Sequence, residues 1–235
     1  ASLIANDVIL QATDVITKTE GGQVTATGLA ITADNATELI SGLGIEIIAV
    51  NLTEAGKDFI LPASDKAITV GQVGDLVGIK TNGGDVKLES LDNITLESGI
   101  KTNGGNVILD SQGNITLKEG ISVGQADITL LSKDLVLELG ALLQGTGILT
   151  LAPSSLDAEI NVGFENNRVN YDLSRQEIAQ LQNGFSLINI GQENASHHIN
   201  LQEVTFNDPL RLRASAQGGE INILGDLSLK GGKLT

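Results

Sequence analysis

The chain has 235 residues and a formal net charge of −15, and 41% of its residues are apolar although only 2% are aromatic and none is Cys, Met or Trp. Nucleic acids and anionic membrane surfaces are bound through basic patches, so this acidic composition argues against both as partners, and the lack of Cys excludes disulfides and thiolate metal sites. No apolar run reaches the roughly 18 residues of a transmembrane helix, and the lack of a signal peptide and of Met predicts a processed product or an excised fragment.

Residues 1–28 already have the texture of β-strands. Val24 and Ala26 alternate with Thr25 and Thr27, and a period of two is typical of a strand with one buried face. The pattern Gly-Gly-polar-aliphatic also recurs along the chain, and we predict that it marks a corner because Gly takes a positive φ without a Cβ clash. Its five occurrences begin at Gly21, Gly83, Gly104, Gly218 and Gly231.

Two stretches before the central region are predicted to interrupt the strands. Residues 32–41 (TADNATELIS) are predicted to form a short helical turn or a loop. Residues 57–66, which contain Pro62, are predicted to form a loop. The run IEIIAVNL at 45–52 predicts a strong strand between them, and strands resume at 68–70 and 76–79.

A unit of 21 residues is written twice between residues 79 and 120, as IKTNGGDVKLESLDNITLESG and then IKTNGGNVILDSQGNITLKEG. Each copy holds two alternating strands and a shorter extended piece, without the helix or Asn signature of a leucine-rich repeat. This is typical of one rung of a parallel β-helix. The scarcity of aromatic residues also favours a narrow solenoid, with no room for rings. We predict rungs about 4.8 Å apart, with Val86 over Val107 inside and Glu97 beside Lys118 outside.

Residues 121–153 continue the rhythm in less regular form. The 20 residues from 121 to 140 are predicted to form another rung, and a strand at 148–151 is predicted to end at Pro153. The apolar residues predicted to point inward in that rung are Ile128, Leu130, Val136 and Leu139.

Residues 154–184 break the pattern and are predicted to form an insertion outside the solenoid. Residues 161–170 are predicted to form a turn between two short strands. Ser174 and Glu177 have the spacing of a capping box, and Gly184 is a candidate C-cap, so we predict a helix at 175–183. Its apolar face, formed by Ile178 and Leu181, is expected to pack against the solenoid.

Strands then resume to the end of the chain. They are predicted around 185–190, 199–201, 210–212, 221–223 and 227–229 from their alternating apolar residues. The fold class is therefore all-β: a single parallel β-helix domain over 1–235, with rungs of about 20–21 residues and one short helix near 175–183.

Three motifs stand out between residues 149 and 229: Leu151-Ala152-Pro153, the segment GFSLINIG at 184–191, and FNDPL at 206–210. With these motifs, residues 149–229 resemble the filamentous-haemagglutinin-like β-helical regions of large bacterial surface exoproteins. The resemblance implies a right-handed β-helix, secretion, an extracellular location at the cell surface, and a role in adhesion, biofilm or fibre formation. It implies no catalytic residues, and we expect neither a metal nor a cofactor.

Outward acidic residues in the repeat bear on catalysis. Glu89 and Asp110 are the only acid-on-acid column between the two copies. Such a column could bind a cation between rungs, although a solvated edge is the expected reading. Asn93 and Asn114 are expected to stack as a corner ladder, with their side-chain amides bonded along the solenoid axis.

Histidine and arginine pairs are the other candidates. His197 and His198 are the only histidines, and adjacent strand residues point to opposite faces. We therefore expect an exposed loop pair and no metal site. Arg211 and Arg213 share one strand face and could meet an anionic sugar, but a solvated pair is expected.

Two functions from different classes follow from these patterns. The first is a structural and adhesive module of a secreted bacterial surface fibre, which would contact a host or neighbouring-cell surface, a glycan or matrix. The second is a carbohydrate-active β-helix enzyme that acts on acidic glycans. Catalysis requires an acid, a base and a substrate groove to converge, so we expect no enzyme. Pure self-assembly, with copies docking end to end, is a third alternative.

Overall fold

The computed structural model describes residues 2–17, 23–36, 43–165, 170–230 and 234. They form a β-solenoid of about 10 turns. Three long strands come first: β1 (Ser2–Gln11), β2 (Gln23–Ala33) and β3 (Leu43–Ala55). The middle of the chain contains β4 (Phe59–Ser64), β5 (Ile68–Val70), β6 (Gln72–Val73), β7 (Leu76–Val77), β8 (Ile79–Asn82), β9 (Val86–Ser90), β10 (Ile94–Leu96), β11 (Ile100–Lys101), β12 (Val107–Ser111), β13 (Ile115–Leu117), β14 (Ile121–Ser122), β15 (Ile128–Ser132), β16 (Leu135–Leu137), β17 (Leu143–Gln144) and β18 (Ile148–Pro153).

The remaining elements include one short helix. They are β19 (Glu159–Val162), β20 (Tyr171–Leu173), α1 (Arg175–Ile178), β21 (Leu187–Ile190), β22 (His198–Leu201), β23 (Val204–Phe206), β24 (Leu210–Leu212), β25 (Glu220–Ile223) and β26 (Leu227–Leu229). No helix within the described ranges is long and apolar enough to cross a membrane.

The predicted rung stacking is confirmed. Val86 pairs with Val107 in a parallel register, and the ammonium of Lys118 lies 2.6 Å from the carboxylate of Glu97 on the outer surface. The same register carries a column of buried side chains through seven strands. Its members are Phe59, Val86, Val107, Ile128, Leu149, Ile188 and Leu210. Burying each such side chain contributes about 1.5–3 kcal/mol relative to exposure, so these columns hold the rungs together.

Two large sheets run along the solenoid. One contains β4, β9, β12, β15, β18, β21 and β24, and the other is an 11-stranded sheet centred on β3. β3 pairs with β5 through Ile47 and Ile48, and with β8 through Val50 and Asn51. One long strand near the N-terminus therefore covers the positions of two short strands on later rungs. Only β6 and β7 pair in the antiparallel direction among the described strand pairs.

The Gly-Gly corners are confirmed where the structure describes them. Gly83, Gly104 and Gly218 have φ values of 86°, 126° and 91°. The second glycine meets a different restriction, because a Cβ on Gly105 would lie 2.0 Å from the carbonyl oxygen of Gly84. The predicted corners at 21 and 231 lie outside the described residues.

The predicted loop at 57–66 is wrong, because β4 occupies most of it. Phe59 and Leu61 are buried and begin two core columns. Pro62 is tolerated because the register shifts between Leu61 and Ser64 and because β4 is the edge strand of its sheet. In the predicted interruption at 32–41, β2 extends through residue 33, and residues 37–41 lie outside the described ranges.

Two of the four side chains predicted to point inward in rung 121–140 do not do so. Ile128 and Leu130 are buried as predicted, but Leu139 is 79% exposed and Val136 points outward. Leu135 pairs with Ile115 after 20 residues rather than 21, and loss of one residue moves the inward set to its neighbours. Leu135 and Leu137 accordingly fill the core.

Aromatic rings do enter the core, contrary to expectation. Phe59, Tyr171, Phe185 and Phe206 are all at most 2% exposed. Phe59 precedes the exact repeats, and the other three lie in or after the predicted insertion. The rings therefore fill layers outside the exact repeats, whose core contains aliphatic side chains and a few Thr and Ser side chains but no ring.

Within the segment 154–184, β19 pairs in parallel with β22 and with β20. The capping box is confirmed, but α1 ends at Ile178 with Ala179 as its C-cap, so the predicted helix end near 183 is wrong. Leu181 instead forms a parallel bridge with Leu143 of β17. Ile178 and Leu181 are buried in the core, as expected for the apolar face.

Candidate functional site

Outward side chains stack in columns wherever a strand pairs in register with a strand of the previous rung. Each column is either bonded within the scaffold or free to contact a ligand.

The acid-on-acid column consists of Glu89 on β9 and Asp110 on β12, which are register partners. It stops after two rungs, because Asp110 next pairs with Leu131, and Lys87 forms a 2.8 Å ion pair with Glu89. Partial burial, and next the negative charge of Glu89, raise the pKa of Asp110, while Lys87 opposes them. No group of three or more His, Cys, Asp or Glu that could hold a metal ion occurs in the described part of the chain.

The column Asp85/Asn106 belongs to the scaffold. The Oδ1 atom of Asp85 accepts a hydrogen bond from the backbone N–H of Asn106 at 2.7 Å, and Asn106 accepts one from Asp127 at 2.9 Å. Asp58 and Asp127 extend the series at its two ends, at 2.8 and 2.7 Å. These four side chains therefore satisfy backbone donors at one corner of successive rungs. The sequence signal was an Asp or Asn directly before the strand of each rung.

The expected Asn93/Asn114 ladder is formed differently. The backbone N–H of Asn114 donates to Oδ1 of Asn93 at 2.8 Å, so the bond joins side chain to backbone rather than amide to amide. A side-chain ladder occurs instead across β25, β22, β19 and β20. The amides of Asn222, Asn200 and Asn161 each donate to the next side chain at 3.0–3.2 Å, and the series ends at the carboxylate of Asp172. Sequence reasoning missed it because the insertion hides the register between β19 and β22.

The prediction that both histidines are exposed is wrong for His197. That side chain is 0% exposed, while His198 is exposed at the start of β22. Nδ1 of His197 lies 3.2 Å from the carbonyl oxygen of Ala158 and must donate to it, which leaves Nε2 unprotonated, buried and without a partner among the described atoms. Burial lowers the pKa of His197. The two rings do point apart, since His198 contacts the carbonyl oxygen of Gly218 at 3.1 Å.

The arginine pair is half-buried. Arg211 lies on β24 beside Asn189. Arg213 lies 3.7 Å from the carboxylate of Glu193. A groove of about 340 Å³ next to α1 also offers mixed charges, including Arg175 and Asp208. Asp208 already accepts hydrogen bonds from the backbone around residue 184.

Polar side chains at the insertion serve the backbone of the neighbouring rung. Glu177 accepts from the backbone N–H of Leu137 at 3.3 Å and from Ser174 at 2.9 Å. Gln180 accepts from Gly140 at 2.9 Å. These groups are buried parts of the fold and are not directed toward a ligand.

A lysine column is the outward feature that sequence reasoning missed. Lys80 on β8 and Lys101 on β11 are register partners, and both are exposed. Grooves of about 440 and 350 Å³ flank them, and both lysines line both grooves. The signal was present in the 21-residue repeat, which places Lys at the same outward position of both copies.

Comparisons of the chain with protein families, curated proteins and solved structures gave no match.

Proposed function

We propose that the chain is a structural and adhesive module of a secreted bacterial surface fibre, located outside the cell. The observation that carries this proposal is the parallel solenoid itself, whose buried column extends from Phe59 to Leu210. Such a scaffold holds outward side chains at a fixed spacing of about 4.8 Å along one direction. Repeat scaffolds of this kind present extended surfaces to their partners.

The distribution of polar groups supports binding rather than catalysis. The Asp58/Asp85/Asn106/Asp127 series bonds to backbone, so these side chains are engaged within the fold. The remaining outward groups are spread over many rungs. A host or neighbouring-cell surface, a glycan or a matrix component is the partner class that such a surface fits. The net charge of −15 favours solubility of an extended scaffold.

A binding assay tests this function. Fluorescently labelled chain is applied to cultured cells, to matrix-coated plates and to uncoated plastic, beside a globular protein of similar mass and net charge. We expect saturable binding to at least one surface, and competition by unlabelled chain. Binding no greater than that of the control protein on every surface would contradict the proposal.

The competing function is a glycan-active β-helix enzyme, and one observation favours it. Glu89 and Asp110 are adjacent carboxyl groups, and the raised pKa of Asp110 is a property of catalytic acids. The ion pair of Glu89 with Lys87 and the end of the column at Leu131 weigh against it. Measurement of the chain length of acidic glycans incubated with the protein separates the two functions, because only the enzyme would shorten them.

A further inference from the structure

Lys80 and Lys101 differ from the other outward lysines of the repeat region. Lys87 and Lys118 each lie within 2.8 Å of a glutamate carboxylate. The side chains of Lys80 and Lys101 have neither an ion pair nor a hydrogen bond within the described ranges. Two ammonium groups thus remain without a partner on a chain with 29 acidic and 14 basic residues.

Stacking the two lysines is unfavourable unless something else lies between or over them. Their strands are in register, so the two side chains leave the same face about 4.8 Å apart. Like charges directly opposite on neighbouring strands destabilise a sheet. The next positions in the column are Asn51 on one side and Ser122 on the other, and neither carries a charge. An external anion would therefore find two positive charges that the fold leaves uncompensated.

The larger groove gives that anion a surface to lie along. It follows the column from Lys80 and Lys101 to Ser122 and Gln144, which spans four rungs or about 14 Å. A side chain at Gly120, which lines the groove, would clash with the next rung, because its Cβ would lie 2.4 Å from the carbonyl oxygen of Leu142. The groove therefore runs along the solenoid axis over four closely stacked rungs.

The larger groove is also lined by the exposed apolar side chains of Val77 and Leu142, and the smaller groove by asparagine side chains. On the opposite side of the lysines, Asn82 and Asn103 donate to the backbone carbonyls of Thr53 and Thr81 at 3.1 and 3.3 Å. Their side-chain oxygens have no partner among the described residues and can accept hydrogen bonds from hydroxyl groups. Glu119 also lines the larger groove. The nearby charge is thus only modestly positive, which favours a ligand of low charge density.

We propose that this groove binds a linear glycan that carries one anionic group, carboxylate or sulfate, on each sugar residue. The proposal rests on the adhesive function and names its ligand class. Anionic groups spaced along such a chain complement the stacked ammonium groups, and its hydroxyl groups complement the asparagine, serine and glutamine side chains. Single-stranded nucleic acid fits less well, because it is bound by aromatic stacking and basic channels, whereas no Phe or Tyr is among the described residues that line either groove.

The test compares two double variants of equal charge change. Lys80→Gln with Lys101→Gln removes the column, and Lys66→Gln with Lys133→Gln removes two exposed lysines elsewhere. Lys80→Arg with Lys101→Arg retains the charge. Affinity is measured by biolayer interferometry for polygalacturonate, a sulfated chondroitin, neutral dextran and a single-stranded oligonucleotide, at low and at physiological salt.

We expect the wild-type chain to bind at least one of the two anionic glycans, more weakly at higher salt, and not to bind dextran. The column variant should lose about tenfold or more in affinity, as expected when charge-assisted hydrogen bonds are removed. The control and arginine variants should bind as the wild type does. Binding to polygalacturonate would show that carboxylates suffice, whereas binding to the sulfated chondroitin alone, which carries carboxylate and sulfate on alternating sugars, would show that sulfate is required.

Three results would overturn the proposal that this groove binds an anionic glycan. They are no binding to either anionic glycan, equal affinity of the column variant and the wild type, and a preference for the oligonucleotide. Thermal unfolding of each variant checks that a loss of binding does not come from a loss of folding.

The adhesive function and the glycan-binding groove can be contradicted by different results. If the column variant still binds cells as the wild type does, the groove is not the adhesive surface, whereas glycan binding without surface binding contradicts adhesion alone.

Discussion

The regular rungs between residues 79 and 153 and the segment 154–184 satisfy their backbone groups in different ways. In the regular rungs each strand lies on a partner about 21 residues away, and repeated Asp and Asn side chains bond to the corners. In the segment 154–184, single buried side chains such as Glu177 and Gln180 accept from specific backbone donors. In the regular rungs, the same backbone contacts recur from rung to rung because the sequence repeats. Where the repeat is broken, individual polar side chains make these contacts instead.

The buried polar atoms without a partner follow the same division. Those of Tyr171, Asp172, Asn189 and His197 lie in or after the segment 154–184. Ser132 is the exception in the regular part, where it ends a column of buried serines because its next partner is Pro153. A change in the regular rungs should therefore mainly cost packing energy, and a change near the broken repeat should mainly affect polar contacts and pH dependence.

The largest effect is expected from a cavity in the regular rungs. Leu109→Ala removes a side chain that is 0% exposed and lies between Leu88 and Leu130. The free energy of unfolding should fall by about 2–5 kcal/mol, measured by urea denaturation. Ile178→Ala, at the last residue of α1, should cost less, because that side chain lies at the edge of the core and is 7% exposed. An equal or larger loss in Ile178→Ala would contradict the comparison.

Loss of the helix cap should have a smaller effect. Ser174→Ala removes the hydroxyl that accepts from the backbone N–H of Glu177 at 3.2 Å. We expect a loss of about 1 kcal/mol in the free energy of unfolding. Ser174→Asn, which can still cap the helix, serves as the control and should retain most of the stability. If both variants are as stable as the wild type, the capping box does not stabilise this segment.

His197 should make stability depend on pH below neutrality. Its folded pKa is lowered by burial, while the unfolded chain has a histidine pKa of about 6.5. The stability contribution is therefore complete above about pH 6.5 and is lost as pH falls from there toward the folded pKa. The wild type minus His197→Asn difference in melting temperature, followed from pH 8 to 5, isolates this term from the carboxylates. A constant difference over that range would show that His197 is not buried in its neutral form.

The smallest effect is expected at the acid-on-acid column. Glu89→Gln with Asp110→Asn relieves like-charge repulsion but also breaks the ion pair with Lys87, so stability should rise only slightly at neutral pH. The raised pKa of Asp110 also predicts a pH dependence, because the folded state then binds the proton more readily than the unfolded state. Relative to the variant, the wild type should gain stability as pH falls through that pKa. Thermal unfolding at pH 7 and pH 4 measures both. A marked loss of stability in the variant would contradict this expectation and indicate that the two carboxylates make stabilising contacts in the fold.

Repetition decided how much could be predicted from the sequence. The exact 21-residue copies allowed the register of Val86 with Val107 and the Glu97–Lys118 contact to be predicted, because equal spacing imposes equal faces. The following rung is one residue shorter, and the side chains of Val136 and Leu139 therefore do not point inward as predicted. The burial of His197 and the Asp172/Asn161/Asn200/Asn222 ladder depend on contacts between distant residues across the segment 154–184, which no local pattern reveals.

The most direct test of whether this solenoid binds glycans rather than cleaves them is to incubate polygalacturonate and alginate with the chain and to follow their molar mass by size-exclusion chromatography with light scattering. With or without calcium, we expect the mass distribution of both polymers to stay unchanged over time. A calcium-dependent fall in polymer mass that is lost in Glu89→Gln with Asp110→Asn would contradict the adhesive function and assign the chain to the glycan-active enzymes.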